Sequence, residues 1–194
     1  MKIRDYLFFA TSLLLFSMTT NAWAEIALPT GWYFEFNLGR SSVIGAKYVS
    51  GGSTSGSGLG WNLDAGYRFM PYLAAELGFT KYTDATGMLG GVKVASGSQY
   101  SYDIIAKGIL PINSSGFEIF AKIGAARIHS TISQTGVVTV NSGTRTRTGL
   151  IVGIGADYAI YPALTTNVQW TRAKGNDATG KMDLLSIGLS YNFG

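Results

Sequence analysis

From residue 185 to residue 193 the chain alternates large apolar residues, Leu185, Ile187, Leu189, Tyr191 and Phe193, with Ser186, Gly188, Ser190 and Asn192. A strict period of two puts the two sets on opposite faces of an extended strand. The same period predicts eight strands, over residues 32–40, 59–69, 72–82, 100–110, 117–128, 148–160, 164–172 and 182–193. Most approach the roughly 9 to 11 residues that let a tilted strand cross a bilayer. The connections alternate in kind. Those at 70–71, 111–116 and 161–162 are short and carry proline, which cannot donate to a closed ladder. Those at 41–58, 83–99, 129–147 and 173–181 are long and rich in Gly, Ser and Thr, and the Gly/Ser run 50–58 is expected to be a mobile loop.

Parity sorts the residues of most strands cleanly. Trp32, Phe34, Phe36 and Leu38 share a face, as do Trp61, Leu63, Ala65, Tyr67 and Phe69, and Leu150, Val152, Ile154, Ala156 and Tyr158. Glu35, Asn37, Asn62, Asp64, Arg68, Glu76, Asp157, Asn167 and Gln169 take the opposite parity. The fourth and fifth strands resist this sorting, because Ile105 and Ile109 share the parity of Lys107 and Phe120 shares that of Lys122; beyond Ala125 no face is assigned. With no helix to cover the oily faces, the pattern predicts an all-β fold: an eight-stranded antiparallel up-and-down transmembrane β-barrel, oily outside. The competing fold is a soluble barrel or sandwich with the oily face inward. Strand length opposes it, as do two aromatic bands of the kind found at membrane interfaces. Trp32, Tyr67, Phe69, Tyr72, Tyr161, Tyr191 and Phe193 lie toward the short connections; Trp61, Phe79, Tyr82, Tyr100, Tyr102 and Trp170 lie toward the long ones.

Composition sharpens the picture. Only 13% of residues are charged while 26 are Gly, which suits strands facing lipid on one side and a crowded interior on the other. The absence of cysteine excludes disulfides, thiol catalysis and Cys-based metal sites, and no cofactor or metal is expected. Lys2 and Arg4, an apolar run over 7–18 and Ala22-Trp23-Ala24 read as a secretory signal over residues 1–24, leaving 25–194 as the barrel. A formal charge of +4 is too mild to argue for nucleic acid.

At Pro71-Tyr-Leu-Ala-Ala-Glu-Leu-Gly-Phe79, Ala106-Lys-Gly108, Ala156-Asp-Tyr-Ala-Ile-Tyr-Pro162, Gln169-Trp-Thr171 and the ending 184–194, the chain resembles the transmembrane domain of the outer-membrane protein A family. The resemblance covers essentially the whole expected mature chain, and it implies an outer-membrane location with both termini periplasmic. It implies a luminal ionic cluster in which Glu76, Lys107 and Asp157 match three gate positions, while Asn167 stands where the family has its second base. Larger members continue into a peptidoglycan-binding domain, which is not expected here because the sequence stops at Gly194. Leu185, Ile187, Leu189, Tyr191 and Phe193 resemble the C-terminal signal read by the barrel-assembly machinery, with Phe193 one place inside the usual end.

Chemistry is sparse. His129, the only histidine, adjoins Ser130, and small-barrel lipid A deacylases keep such a pair; adjacent strand residues point to opposite faces, however, which is poor geometry for proton transfer. Parity places Glu35, Asp64, Glu76, Asp103 and Asp157 in the lumen with Arg68, Lys107 and Lys122, so Lys107 is expected to bridge Glu76 or Asp157 and any leak is expected to favour cations. Gly66, on the luminal face, is expected to accept serine. Lys81, Arg145, Arg147, Arg172 and Lys174 are expected to form a rim that meets lipopolysaccharide phosphates. The expectation is a monomeric, non-enzymatic envelope protein whose four loops meet host or phage ligands. A narrow cation-selective pore is the alternative and a lipid A-modifying enzyme the third reading.

Overall fold

The computed structural model describes residues 29–46, 53–112, 116–134, 143–175 and 179–193; the expected signal peptide lies outside them. Among these residues nine strands appear: β1 (Gly31–Ile44), β2 (Ser53–Met70), β3 (Leu73–Lys81), β4 (Ala85–Leu89), β5 (Val92–Ile112), β6 (Phe117–Gln134), β7 (Gly143–Tyr161), β8 (Leu164–Lys174) and β9 (Lys181–Asn192). All pair antiparallel with their neighbours, and β1 pairs with both β2 and β9, so the sheet closes on itself. At the seam the ladder continues to Phe193, whose N–H donates to the Trp32 carbonyl at 2.9 Å.

The wall still has eight positions. β3 and β4 occupy one of them in succession, since both lie between β2 and β5 and are separated only by Tyr82-Thr83-Asp84. β4 then turns into β5 through Gly90 and Gly91, with φ of 57° and 82°. That is the left-handed pair a two-residue hairpin turn requires. Other segments read as loops are strand as well: 53–58 belongs to β2, 129–134 to β6 and 143–147 to β7. The long connections are therefore mostly wall that continues past the apolar band.

Register fixes the geometry of closure. From Phe36, partners run one way through Leu63 and Phe79 to Tyr102, and the other way through Leu189, Thr166, Tyr158 and Phe117 to Ile112. The two ends lie ten residues apart on β5 (112 minus 102). A stagger of ten over eight strands implies a tilt of about 40°, so each residue climbs roughly 2.5 Å along the axis.

The outward face is oily over one continuous band, from Trp32, Phe34, Phe36 and Leu38 on β1 to Leu185, Ile187, Leu189 and Tyr191 on β9. Ile187 is 69% exposed and Ile154 61%, values that only a lipid solvent makes favourable. Thus β9 carries Leu185, Ile187, Leu189 and Tyr191 on the membrane face, with Phe193 beside them against Phe34. Aromatic contacts form both girdles: Trp32 with Tyr67 at 5.1 Å near the short turns, and Trp61 with Phe79 at 5.4 Å and Phe79 with Tyr102 at 5.3 Å toward the long hairpins. Tyr82 is a correction to the second girdle. It lies past the end of β3, inside the barrel and 2% exposed.

Candidate functional site: a sealed lumen and a basic collar

Eight strands enclose a space that side chains can fill. Here they fill it in layers. At mid-height Lys122 Nζ lies 2.8 Å from Glu76 Oε2, 3.3 Å from Glu35 Oε1 and 3.6 Å from Asp64 Oδ2. Lys107 Nζ lies 3.2 Å from Asp157 Oδ2, 3.4 Å from Glu35 Oε2 and 3.6 Å from Glu76 Oε1. The two lysines are register partners on β5 and β6, so each blunts the repulsion only because carboxylates from β1, β2, β3 and β7 converge on them. Glu35 is the hub: it also accepts from Asn37 at 2.9 Å and from Gln169 at 3.0 Å. Lys107 therefore bridges Asp157, Glu76 and Glu35 together.

Two of the expected members stand differently. Arg68 leaves the cluster for a bidentate pair with Glu118, at 3.0 and 2.8 Å, nearer the short turns, and it donates to the Pro71 carbonyl too. Glu118 lies on a strand whose faces the sequence does not separate. With it the luminal acids among the described residues number six, Glu35, Asp64, Glu76, Asp103, Glu118 and Asp157, against three bases, a formal minus three. Asn167 is buried beside Asp157 in the register, yet neither of its amide atoms has a hydrogen-bond partner among the described residues.

Between the ionic layer and the Arg68–Glu118 pair sit Tyr33, Ala74, Ile109 and Phe120. Lys107 Nζ lies 4.0 Å from the centre of the Phe120 ring, a cation–π contact that makes this apolar layer compatible with the charges above it. Tyr33 Oη donates to Glu76 Oε1 at 2.7 Å, and its ring lies over Gly66. A Cβ at Gly66 would fall 2.2 Å from Tyr33 Cζ, so serine there would displace the ring and break that bond. The expectation of easy substitution at Gly66 is thus corrected. Gly155 has the same role for Phe120, whose Cζ would lie 2.3 Å from an added Cβ.

On the hairpin side the lumen is closed by Val43, Tyr82, Ile128, Ile151, Met182 and Leu184, all buried together. Ile128 is six residues beyond Lys122 on β6 and Ile151 six beyond Asp157 on β7, or about 15 Å along the axis. The two apolar layers explain why parity does not sort β5 and β6: Ile105 and Ile128 in this plug, and Ile109 and Phe120 in the layer below the charges, are apolar and face inward. A void of about 20 Å³ remains between Tyr33, Arg68, Lys107 and Asp157, room for roughly one water.

The expected rim divides in two. Lys81, Arg172 and Lys174 face outward just past the hairpin-side girdle, joined by Arg40, Arg127 and Lys181. Arg172 holds Asp183 at 2.6 and 2.8 Å and lies 5.0 Å from the Trp170 ring centre; Lys81 donates to Ser98 and lies 3.9 Å from Asp84. Lys174 and Lys181 are direct register partners. Arg145 and Arg147 have the other parity, being partners of buried Ser130 and Ile128, and so look over the lumen mouth. His129 and Ser130 are separated by the wall. His129 stacks on Tyr100 outside, ring centres 4.9 Å apart, while Ser130 is buried inside.

Comparison with known proteins agrees with this architecture. The solved fold of Neisserial surface protein A is similar with a TM-score of 0.64 at 18% identity, covering 84% of this chain and 98% of that one. The attachment invasion locus protein Ail of Yersinia pestis gives 0.59 at 20%, covering 85% and 100%, and the outer membrane protein OprG of Pseudomonas aeruginosa 0.58 at 16%, covering 87% and 99%. No curated protein matches the chain in sequence. The family model of the outer membrane protein beta-barrel domain matches residues 8–193, and the chain, a closed antiparallel barrel with an oily exterior, belongs to that family.

Proposed function

We propose that the protein is a non-conducting outer-membrane barrel that stands with its long hairpins outside the cell, anchors in the lipopolysaccharide leaflet through its basic collar, and offers the hairpins as an interaction surface. The collar carries this reading. Among the described residues every outward-facing cation lies at the hairpin end, whereas the outward side chains at the short-turn end, Trp32, Phe69, Leu110, Phe117, Ile160 and Phe193 among them, carry no charge. Like charges set directly opposite on a strand pair are unfavourable, so the Lys174–Lys181 pair calls for an anion between them, and lipid A phosphates at headgroup height supply one. The short turns, with Gly31 and Asn192, then face the periplasm. The Ail barrel, named for attachment and invasion, lends support to the surface role.

Replacing Lys174 and Lys181 together by Glu is expected to remove about 1 kcal/mol of membrane attraction per lost cation. Thermal midpoints of the folded barrel in lipopolysaccharide-containing and in phosphatidylcholine vesicles would read this: the double variant should lose the difference between the two lipids, and an unchanged difference would refute the collar's role.

The pore alternative meets the aliphatic plug. An ion would have to cross a layer packed with Val43, Ile128, Ile151, Met182 and Leu184, where the Tyr82 hydroxyl, 3.4 Å from that of Ser101, is too little to replace a hydration shell. Purified, refolded protein in a planar bilayer is therefore expected to show no unitary conductance. A steady cation-selective current would decide for the pore.

A further inference from the structure

Among the described residues, Asp103 is the one luminal acid without an ion pair. Lys107 and Lys122 hold Glu35, Asp64, Glu76 and Asp157 between them, and Arg68 holds Glu118. Asp103 is nevertheless only 7% exposed, and neither of its carboxylate oxygens has a hydrogen-bond partner. A buried carboxylate in that state has to be neutralised or ligated.

Register carries one row across three strands, from Asp64 on β2 through Gly78 on β3 to Asp103 on β5. Gly78 is what lets the two acids meet. Both carboxylates lean over it, so that an added Cβ would fall 2.3 Å from Asp103 Oδ1 and 2.4 Å from Asp64 Oδ1. The two oxygens are thus no more than about 4.7 Å apart, the sum of those distances. A single cation can touch both at the roughly 2.3 to 2.6 Å that calcium takes with oxygen. Lys122 does not serve here: it lies 3.6 Å from the other oxygen of Asp64 and is already shared with Glu35 and Glu76.

One row nearer the hairpins, Thr80 and Ser101 are register partners and both are buried, so hydroxyl oxygens flank the carboxylates. Oxygen donors of this kind suit a hard cation. No group of three acidic or histidine side chains gathers among the described residues, so hydroxyls and trapped water have to complete the shell. Magnesium demands a near-ideal octahedron and gives up its own water reluctantly, which fits an irregular, sealed set of ligands poorly.

We propose that Asp64 and Asp103 hold one calcium ion inside the barrel, with Thr80 and Ser101 as further ligands. The ion brings the formal luminal charge from minus three to minus one. It is structural and does not permeate, because the apolar plug seals it from the hairpin side.

Since the lumen is sealed, calcium is supplied during refolding. The full chain is refolded in detergent micelles with calcium, with magnesium or with a chelator, freed of unbound ion by gel filtration and assayed for metal by atomic absorption. Wild type is expected to retain one calcium per barrel and no magnesium. Its unfolding equilibrium constant in urea is expected to fall about a hundredfold when free calcium is about one hundred times the dissociation constant. Asp103→Asn, which removes a ligand charge, and Gly78→Ala, which fills the gap between the oxygens, are expected to retain none. Faster migration before boiling shows that each variant is folded, and the asparagine variant keeps the test decisive if alanine at 78 prevents folding. The proposal is overturned if wild type retains no calcium, if it retains magnesium equally, or if folded Asp103→Asn keeps the ion. Stability that is the same with calcium and with chelator would leave the two acids to a shared proton and overturns it as well.

Discussion

Lys122→Met is expected to destabilise the folded barrel by about 3 to 5 kcal/mol, the effect of removing one partner from a buried ion pair. Methionine matches the lysine side chain as far as Cε and lacks only the ammonium, so the change is chiefly electrical. It takes from Asp64 the lysine it is paired with and leaves Glu35 and Glu76 to share Lys107, in a site where none of them is exposed to solvent. Urea titration in detergent micelles would give the difference directly. Adding Glu76→Gln should restore part of it, because the 2.8 Å contact makes Glu76 the closest partner left behind. Equal stability of Lys122→Met and wild type would show that the mid-lumen charges do not hold the barrel together.

The second large effect lies on the outer face. Ile154→Arg sits within the apolar band, flanked in register by Ala121 and Trp170, and should disfavour insertion by roughly 2 to 4 kcal/mol, as an arginine near the midplane does. Thr131→Arg, exposed on β6 well beyond the collar, should be tolerated. The fraction of each variant that migrates in the compact form before boiling gives the measurement. Equal tolerance at both positions would mean that lipid does not contact the face assigned to it.

The lipid-facing wall was legible because a bilayer imposes one uniform demand on every outward position of β1, β2, β7, β8 and β9. The lumen imposes no such demand. Its layers alternate between ionic and apolar, so Ile105, Ile109, Phe120 and Ile128 look misplaced to a rule that equates the interior with polarity, and Glu118 was lost with them. The meeting of Glu35 with Lys107 and Lys122 was also out of reach, since it depends on which strands face each other across the closed ring and on a stagger that only the register reveals. Composition misled in a different way. Segments rich in Gly, Ser and Thr look like loops, yet 53–58 and 143–147 continue the wall as paired strand, and Gly90-Gly91 between Leu89 and Val92 is a hairpin turn set in polar sequence.

Glu35, one of two carboxylates shared by both lysines, belongs to β1, and that strand is also one side of the seam with β9. An open sheet lacking that seam would leave Lys107 and Lys122, borne on the β5–β6 hairpin, with Glu76 but without the ring closure that holds Glu35 across from them. Joining the two ends of the strand order is thus the same event as fixing Glu35 beside the two lysines that hold it. A barrel open at that seam would be not merely frayed at its edges but would hold both lysines one carboxylate short, so closure there adds an electrostatic contribution to the hydrogen bonds of the seam.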